Sequence, residues 1–160
     1  MPAAGTRAFG RLDGRRAFVS GGAKGIGAAI VRGFADAGAH VVIADLDIET
    51  ASGLAGQVGA TAVHLDVGDT GMVQAIMAQH GPFDIVVNNA GVDQHAFFTD
   101  TTPEDWTKLL AVNLVSAFAC THAALPAMQA AGFGRIINVT SEAAAWVRRA
   151  ARSIPPPRVA

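Results

Sequence analysis

Arg15-Arg16-Ala17-Phe18-Val19-Ser20-Gly21-Gly22-Ala23-Lys24-Gly25-Ile26-Gly27 is an apolar, β-forming run that breaks into a cluster of glycines. Its apolar part is too short for a helix and is bounded by glycine, so it reads as a buried strand feeding a tight turn. Beyond the glycines, Ile26, Ile30, Val31 and Phe34 recur at helical spacing until Gly38, which predicts a helix of about three turns with a glycine stop. This strand, turn and helix is the unit that the remainder of the sequence repeats.

Working outward, His40–Ala44 is a second short apolar strand, followed by a predicted helix over Ile48–Val58. Thr61–Leu65 and Phe83–Asn88 read as the third and fourth strands, separated by a helix near Thr70–Gln79. Thr102-Pro103-Glu104-Asp105 supplies an N-cap, a proline at the first helical position and two acids that complement the helix dipole. A long helix is therefore expected from Pro103 to Ala131, broadly apolar, burying more than one face and kinked by Pro126. Arg135–Val139 is the fifth strand. Strands alternating with helices through short connections imply right-handed βαβ crossovers, hence a doubly wound, Rossmann-like α/β parallel sheet in the order 3-2-1-4-5.

The 160 residues suffice for one domain, and 51% of them are hydrophobic. A net charge of -1 argues against a nucleic-acid binder. No signal-like h-region opens the chain and no 18-residue uninterrupted apolar run occurs, which predicts a soluble, cytoplasmic protein without a membrane partner. One cysteine, Cys120, fits a reducing compartment and reads as a small buried apolar side chain. The five histidines show no HxxxH or HExxH pairing, so no metal site is expected. Arg148, Arg149, Arg152 and Arg158 gather in an Arg/Pro/Ala stretch with three consecutive prolines. The expected organisation is a flexible N-terminus at 1–11, a domain at 12–145 and a disordered tail at 146–160.

Gly21, Gly25 and Gly27 form GxxxGxG after a strand and at the start of a helix, the context in which backbone N–H groups meet a pyrophosphate. A Walker A loop is excluded, because Lys24 precedes Gly25 and has no adjacent Ser or Thr. Asp45 ends the second strand, 18 residues beyond Gly27, near the offset at which a carboxylate reaches adenosine ribose hydroxyls. An acid there repels a 2′-phosphate, whereas a cation at Lys24 attracts one. The balance favours NAD over NADP.

These motifs resemble those of the short-chain dehydrogenase/reductase family, from about Leu12 to Ala145. Ser20-Gly21-Gly22-Ala23-Lys24-Gly25-Ile26-Gly27 is similar to the family's TGxxxGIG, and Asp66-Val67 to its strand-end Asp-Val, whose Asp bonds the adenine ring. Asn88-Asn89-Ala90-Gly91 matches its NNAG. The resemblance implies cofactor contacts at Ser20, Gly21, Lys24, Gly25, Ile26, Gly27, Asp45, Leu46, Asp66, Val67, Asn89, Ala90 and Gly91. It also implies that Asn113 is the helical Asn of the catalytic tetrad and Ser141 the catalytic Ser. Plainer roles stand beside these: Asn113 bonding back to the preceding turn, Ser141 as a loop cap, Asp66 as a turn acid.

In the family a tyrosine about a dozen residues past the serine, with a lysine four residues on, supplies the acid. The sequence contains no tyrosine and only two lysines, Lys24 and Lys108. Counting on from Ser141 reaches Ile154 and Pro155. The resemblance thus implies a truncated, catalytically incomplete copy of an NAD(P)-dependent alcohol or carbonyl oxidoreductase, ended by a frameshift or a misplaced terminus. The alternatives are a non-catalytic dinucleotide-binding module and a remnant without function. Family members are homo-oligomers, an expectation weakened here by the missing strands. Asp93, Gln94 and His95 hint at a polar loop near the active site, and the substrate is not legible.

Overall fold

A computed structural model describes residues 10–93 and 96–141. Five parallel strands, β1 Arg16–Ser20, β2 His40–Asp45, β3 Thr61–His64, β4 Ile85–Asn88 and β5 Arg135–Asn138, lie in the order β3-β2-β1-β4-β5. The helices are α1 Gly25–Asp36, α2 Ile48–Val58, α3 Thr70–His80, α4 Pro103–Leu110 and α5 Ser116–Ala131. The predicted fold class and strand order are those observed.

β1, β2 and β4 read as unbroken apolar runs because both faces of a parallel sheet are covered. Alternate residues serve opposite layers. Phe18, Val42 and Val86 pack towards α3 and α5, while Val19, Ile43 and Val87 join Val31 and Leu54 of α1 and α2. Three strand ends fall one or two residues short of expectation, at His64, Ile85 and Asn138. The flanking backbone still pairs, with Leu65 N donating to Asp45 O, Asp84 N to Arg16 O and Val139 N to Asn88 O.

The helix starts follow their side chains. Asp47 caps α2 and Asp69 caps α3. Thr102 and Asp105 form a reciprocal capping box on α4, with Pro103 in its first turn. α1 differs: Lys24 at its N-cap makes no side-chain cap bond, and its first turn holds no acid.

The expected helix from Pro103 to Ala131 is continuous in path but changes pitch through a π-helical turn at Ala111–Val115. The expectation that it buries more than one face is corrected. Ser116, Cys120, Ala124 and Met128, spaced one turn apart, are its buried residues. Its larger apolar side chains lie elsewhere on the surface, with Leu110 56%, Leu114 45% and Phe118 64% exposed. The reason is geometric: small residues let α5 approach the sheet closely, so the bulky ones take the outer face. By length and hydropathy the 29-residue stretch could cross a membrane, yet α5 packs on α3 and β4.

Among the described residues β5 has a neighbour on one side only, and it is the most exposed strand, with Ile137 41% exposed. The expected flexible N-terminus and Arg/Pro/Ala tail fall almost wholly outside the described residues; Gly10 and Arg11 alone lie inside.

Candidate functional site

A cleft of about 690 Å³ opens at the C-terminal ends of the strands. Gly21 enters it from β1, Asp45 and Leu46 from β2, Asp66 and Val67 from the turn after β3, and Asn89, Ala90 and Gly91 from the turn after β4. Between β1 and β4 the strand order reverses, which parts the loops and makes the crevice.

The glycine turn is shaped by close approach. Gly21 has φ +61°, and a Cβ there would lie 2.8 Å from Ala90 Cα. At Gly27 a Cβ would meet the Gly21 carbonyl oxygen at 2.1 Å. Gly25, with φ +54°, differs, because the space where its Cβ would project is open. An uncapped helix start beneath an open glycine fits a pyrophosphate, whose oxygens would accept the α1 N–H groups.

Ser20 and Asn89 hold this turn in place. Ser20 Oγ accepts the N–H groups of Asn89 and Ala90, both at 3.1 Å, and donates to Val87 O. Asn89 Nδ2 returns two bonds, to Ser20 O at 3.0 Å and Gly21 O at 2.9 Å. The structure thus gives Ser20, which is 3% exposed, a clamping position, while Asn89 both clamps and lines the cleft.

Asp45 Oδ2 accepts Ala23 N–H at 2.9 Å and Oδ1 accepts Asp47 N–H at 3.0 Å, so its carboxylate is fixed at the cleft wall. Lys24 and Ile26 are exposed on the turn; Lys24 Nζ pairs with Asp47 Oδ2 at 2.6 Å. That contact raises the Lys24 pKa and, with the Thr50 bonds, holds the Asp47 carboxyl well below the usual carboxylate range. Asp66 lines the cleft and its Oδ1 accepts Gly68 N–H at 2.8 Å, the local bond of a turn acid.

Asn113 sits in the π-helical turn and stands behind the loop after β4, bonding both polar groups of Val92. The plainer reading, a bond back to the preceding turn, is not what it does. Ser141, three residues past β5, is exposed at the same end of the sheet and does not line the cleft. Gln94 and His95 lie outside the described residues.

Leu65, Gly68, Val92, Lys108, Ala111 and Val112 also line the cleft and were not anticipated. Lys108, Ala111 and Val112 stand three and four residues apart, the spacing of one helical face, which was the available signal. Among the described residues no three His, Cys, Asp or Glu side chains gather as a metal site would need.

A doubly wound sheet with a glycine turn, an uncapped first helix and the carboxylates of Asp45 and Asp66 on one switch-point cleft places the chain in the doubly wound α/β class, whose ligand crevices lie at such switch points. Residues 15–152 match the short chain dehydrogenase family model, and the chain belongs to that family, which binds nicotinamide dinucleotides. It is 41% identical over 143 residues to D-threitol dehydrogenase of Mycolicibacterium smegmatis, covering 84% of this chain and 55% of that protein. Sorbitol dehydrogenase of Cereibacter sphaeroides is 37% identical over 140 residues, covering 83% and 55%. A solved short chain dehydrogenase/reductase family protein superposes with a TM-score of 0.81 at 36% identity, covering 84% of this chain and 58% of that one. The chain spans about half the length of the curated relatives it matches.

Proposed function

We propose that this chain is the cofactor-binding part of an NAD-dependent oxidoreductase acting on an alcohol or carbonyl, in a soluble, cytoplasmic setting. The observation that carries the reading is the convergence of Gly21, at the start of the glycine turn, with Asp45 and Asp66 on one cleft at the switch point; Lys24, Gly25, Ile26 and Gly27 lie beside this cleft's lining rather than in it. Asp45, held by two backbone N–H groups, presents its remaining lone pairs to the adenosine ribose hydroxyls and disfavours a 2′-phosphate. Asp66, Val67, Ala90 and Gly91 line the same cleft, which supports Asp66 and Val67 as adenine contacts and Ala90 and Gly91 as the border of the path towards the nicotinamide. Bound NAD would supply hydride acceptance at its nicotinamide ring. Ser141 would donate a hydrogen bond to the substrate oxygen, and Asn113 would fix the β4 loop beside the reacting end. The polyol dehydrogenases among the relatives support a small hydroxylated substrate.

The absence of tyrosine from the 160 residues favours a second reading, in which this chain binds the dinucleotide without turning it over unaided. Calorimetry with NAD, followed by turnover assays on tetritols and hexitols, separates the two. Turnover that appears once the chain is fused to the C-terminal half of a polyol dehydrogenase relative supports the first reading, and NAD binding without turnover even then supports the module; binding of neither NAD nor NADP defeats both readings.

A further inference from the structure

Lys24 is a cation on the glycine turn itself, where an additional phosphate on the adenosine ribose would seek a counter-charge. Its ammonium is already engaged. Asp47 Oδ2 meets Lys24 Nζ at 2.6 Å, and the same carboxylate is held from its own helix: Oδ1 accepts Thr50 N–H at 3.0 Å and Oδ2 accepts Thr50 Oγ1–H at 2.8 Å. Asp47 is anchored further by its N–H, which donates to Asp45 Oδ1. The carboxylate is therefore preorganised before any ligand arrives, and the long Lys24 side chain is drawn towards the start of α2.

We infer that Asp47 is a specificity-determining positioning residue: by holding Lys24, it denies the 2′-phosphate of NADP the cation that the glycine turn would otherwise offer. Asp45 acts by repulsion at the ribose. Asp47 acts by occupying the competing attraction, so the two carboxylates of one turn oppose NADP by different routes. This rests on the dinucleotide-binding reading above.

The test is a double-mutant cycle read by calorimetry with NAD and NADP on the full chain. Asp47→Asn removes the charge and keeps an oxygen for the Thr50 N–H, so the start of α2 is retained. It should shift the ratio of NADP to NAD dissociation constants about two- to five-fold in favour of NADP, the scale of one exposed charge pair. In a Lys24→Gln background the same substitution should leave the ratio unchanged. A ligand-free readout accompanies it: the Asp47 carboxyl, followed by NMR, should titrate higher in Lys24→Gln than in the unmodified chain. NAD binding with an unmoved ratio in Asp47→Asn overturns the inference alone. A shift that persists without Lys24 also overturns it, because Asp47 would then repel the phosphate directly. Failure of the unmodified chain to bind either dinucleotide overturns the dinucleotide reading and this inference with it.

Discussion

Asn113 Oδ1 accepts the Val92 N–H at 2.8 Å while its Nδ2 donates to the Val92 carbonyl at 2.9 Å. One side-chain amide thereby completes both backbone groups of a loop residue that lines the cleft. The π-helical turn at Ala111–Val115 positions it, since a widened turn re-aims the side chains it carries.

Replacing Asn113 by Ala should release that loop. The expected cost is about 1 kcal/mol in global stability, given that both groups are reachable by water. Hydrogen exchange at the Val92 amide should accelerate well beyond its neighbours in β4. Unchanged Val92 protection would show that other contacts hold the loop.

Asp45→Ala removes the acceptor for Ala23 and Asp47 N–H as well as the proposed ribose contact. NAD binding should weaken by about 1 kcal/mol or more while NADP is relieved of repulsion. If the unmodified chain already binds NADP more tightly than NAD in calorimetry, the cofactor assignment is wrong.

Homogeneous recombinant chain should show no measurable turnover of NAD with any polyol. A positioned general acid or base is typically worth about 10²- to 10⁴-fold in rate, and the tyrosine and lysine couple of the family is not in this sequence. Sustained NADH production at 340 nm by pure protein would refute this.

Cys120 is 1% exposed, and burial pushes its thiol up to about 11. Unfolded, the thiol ionises near pH ~8.5. Between those values the unfolded state has released a proton that the folded state keeps, so stability contributed by the neutral thiol is present below about pH 8.5 and is lost as pH rises towards 11. Thiol reagents should accordingly leave the native chain unmodified at pH 8 and label it in denaturant. Rapid labelling of native protein would mean that α5 lifts from the sheet.

Leu114 and Phe118 lie one turn apart on the outer face of the long helix, 45% and 64% exposed, and β5 leaves an edge open among the described residues. Apolar patches and open edges of this kind drive association. Size-exclusion chromatography of the chain should show self-association that Phe118→Lys reduces, with little change in melting temperature. A sharp monomer peak for the unmodified chain would count against it.

How much of this was legible in the sequence depended on how local the governing physics is. Strands buried on both faces announce themselves as apolar runs, and Thr102-Pro103 and Gly38 mark helix ends through interactions a few residues long. The order β3-β2-β1-β4-β5 followed from the doubly wound pattern of alternating strands and helices. The π-helical turn did not: Val112, Asn113 and Val115 are weak helix formers, but nothing in their order tells a widened turn from an ordinary one, and the Asn113 bond that goes with it reaches Val92, 21 residues away. The outward face of the Pro103–Ala131 helix was misjudged for a related reason. A helix apolar all round carries no moment to say which side meets the sheet, and only the small residues Ser116 and Ala124 told where close approach was possible. At the cleft, the glycines and strand-end acids were readable, whereas Lys108 arrives from a different element and Asp47 reveals its hold on Lys24 only once β2 lies beside β1.

The clamp between Ser20 and Asn89 also has a bearing on how the protein is made. Its bonds join residues 69 and 70 apart in sequence, and β1 sits in the middle of the sheet with β4 as its second neighbour. A ribosome that has finished β3 has already released the entire glycine turn, yet the partner that fixes its carbonyls has still to emerge. Until β4 slots in beside β1, the nascent turn is held from β2 alone, where Ala44 O accepts the Gly21 and Gly22 N–H groups and Asp45 accepts the Ala23 N–H. A chain cut short before Asn89 would carry the whole glycine motif with only the β2 side of its support.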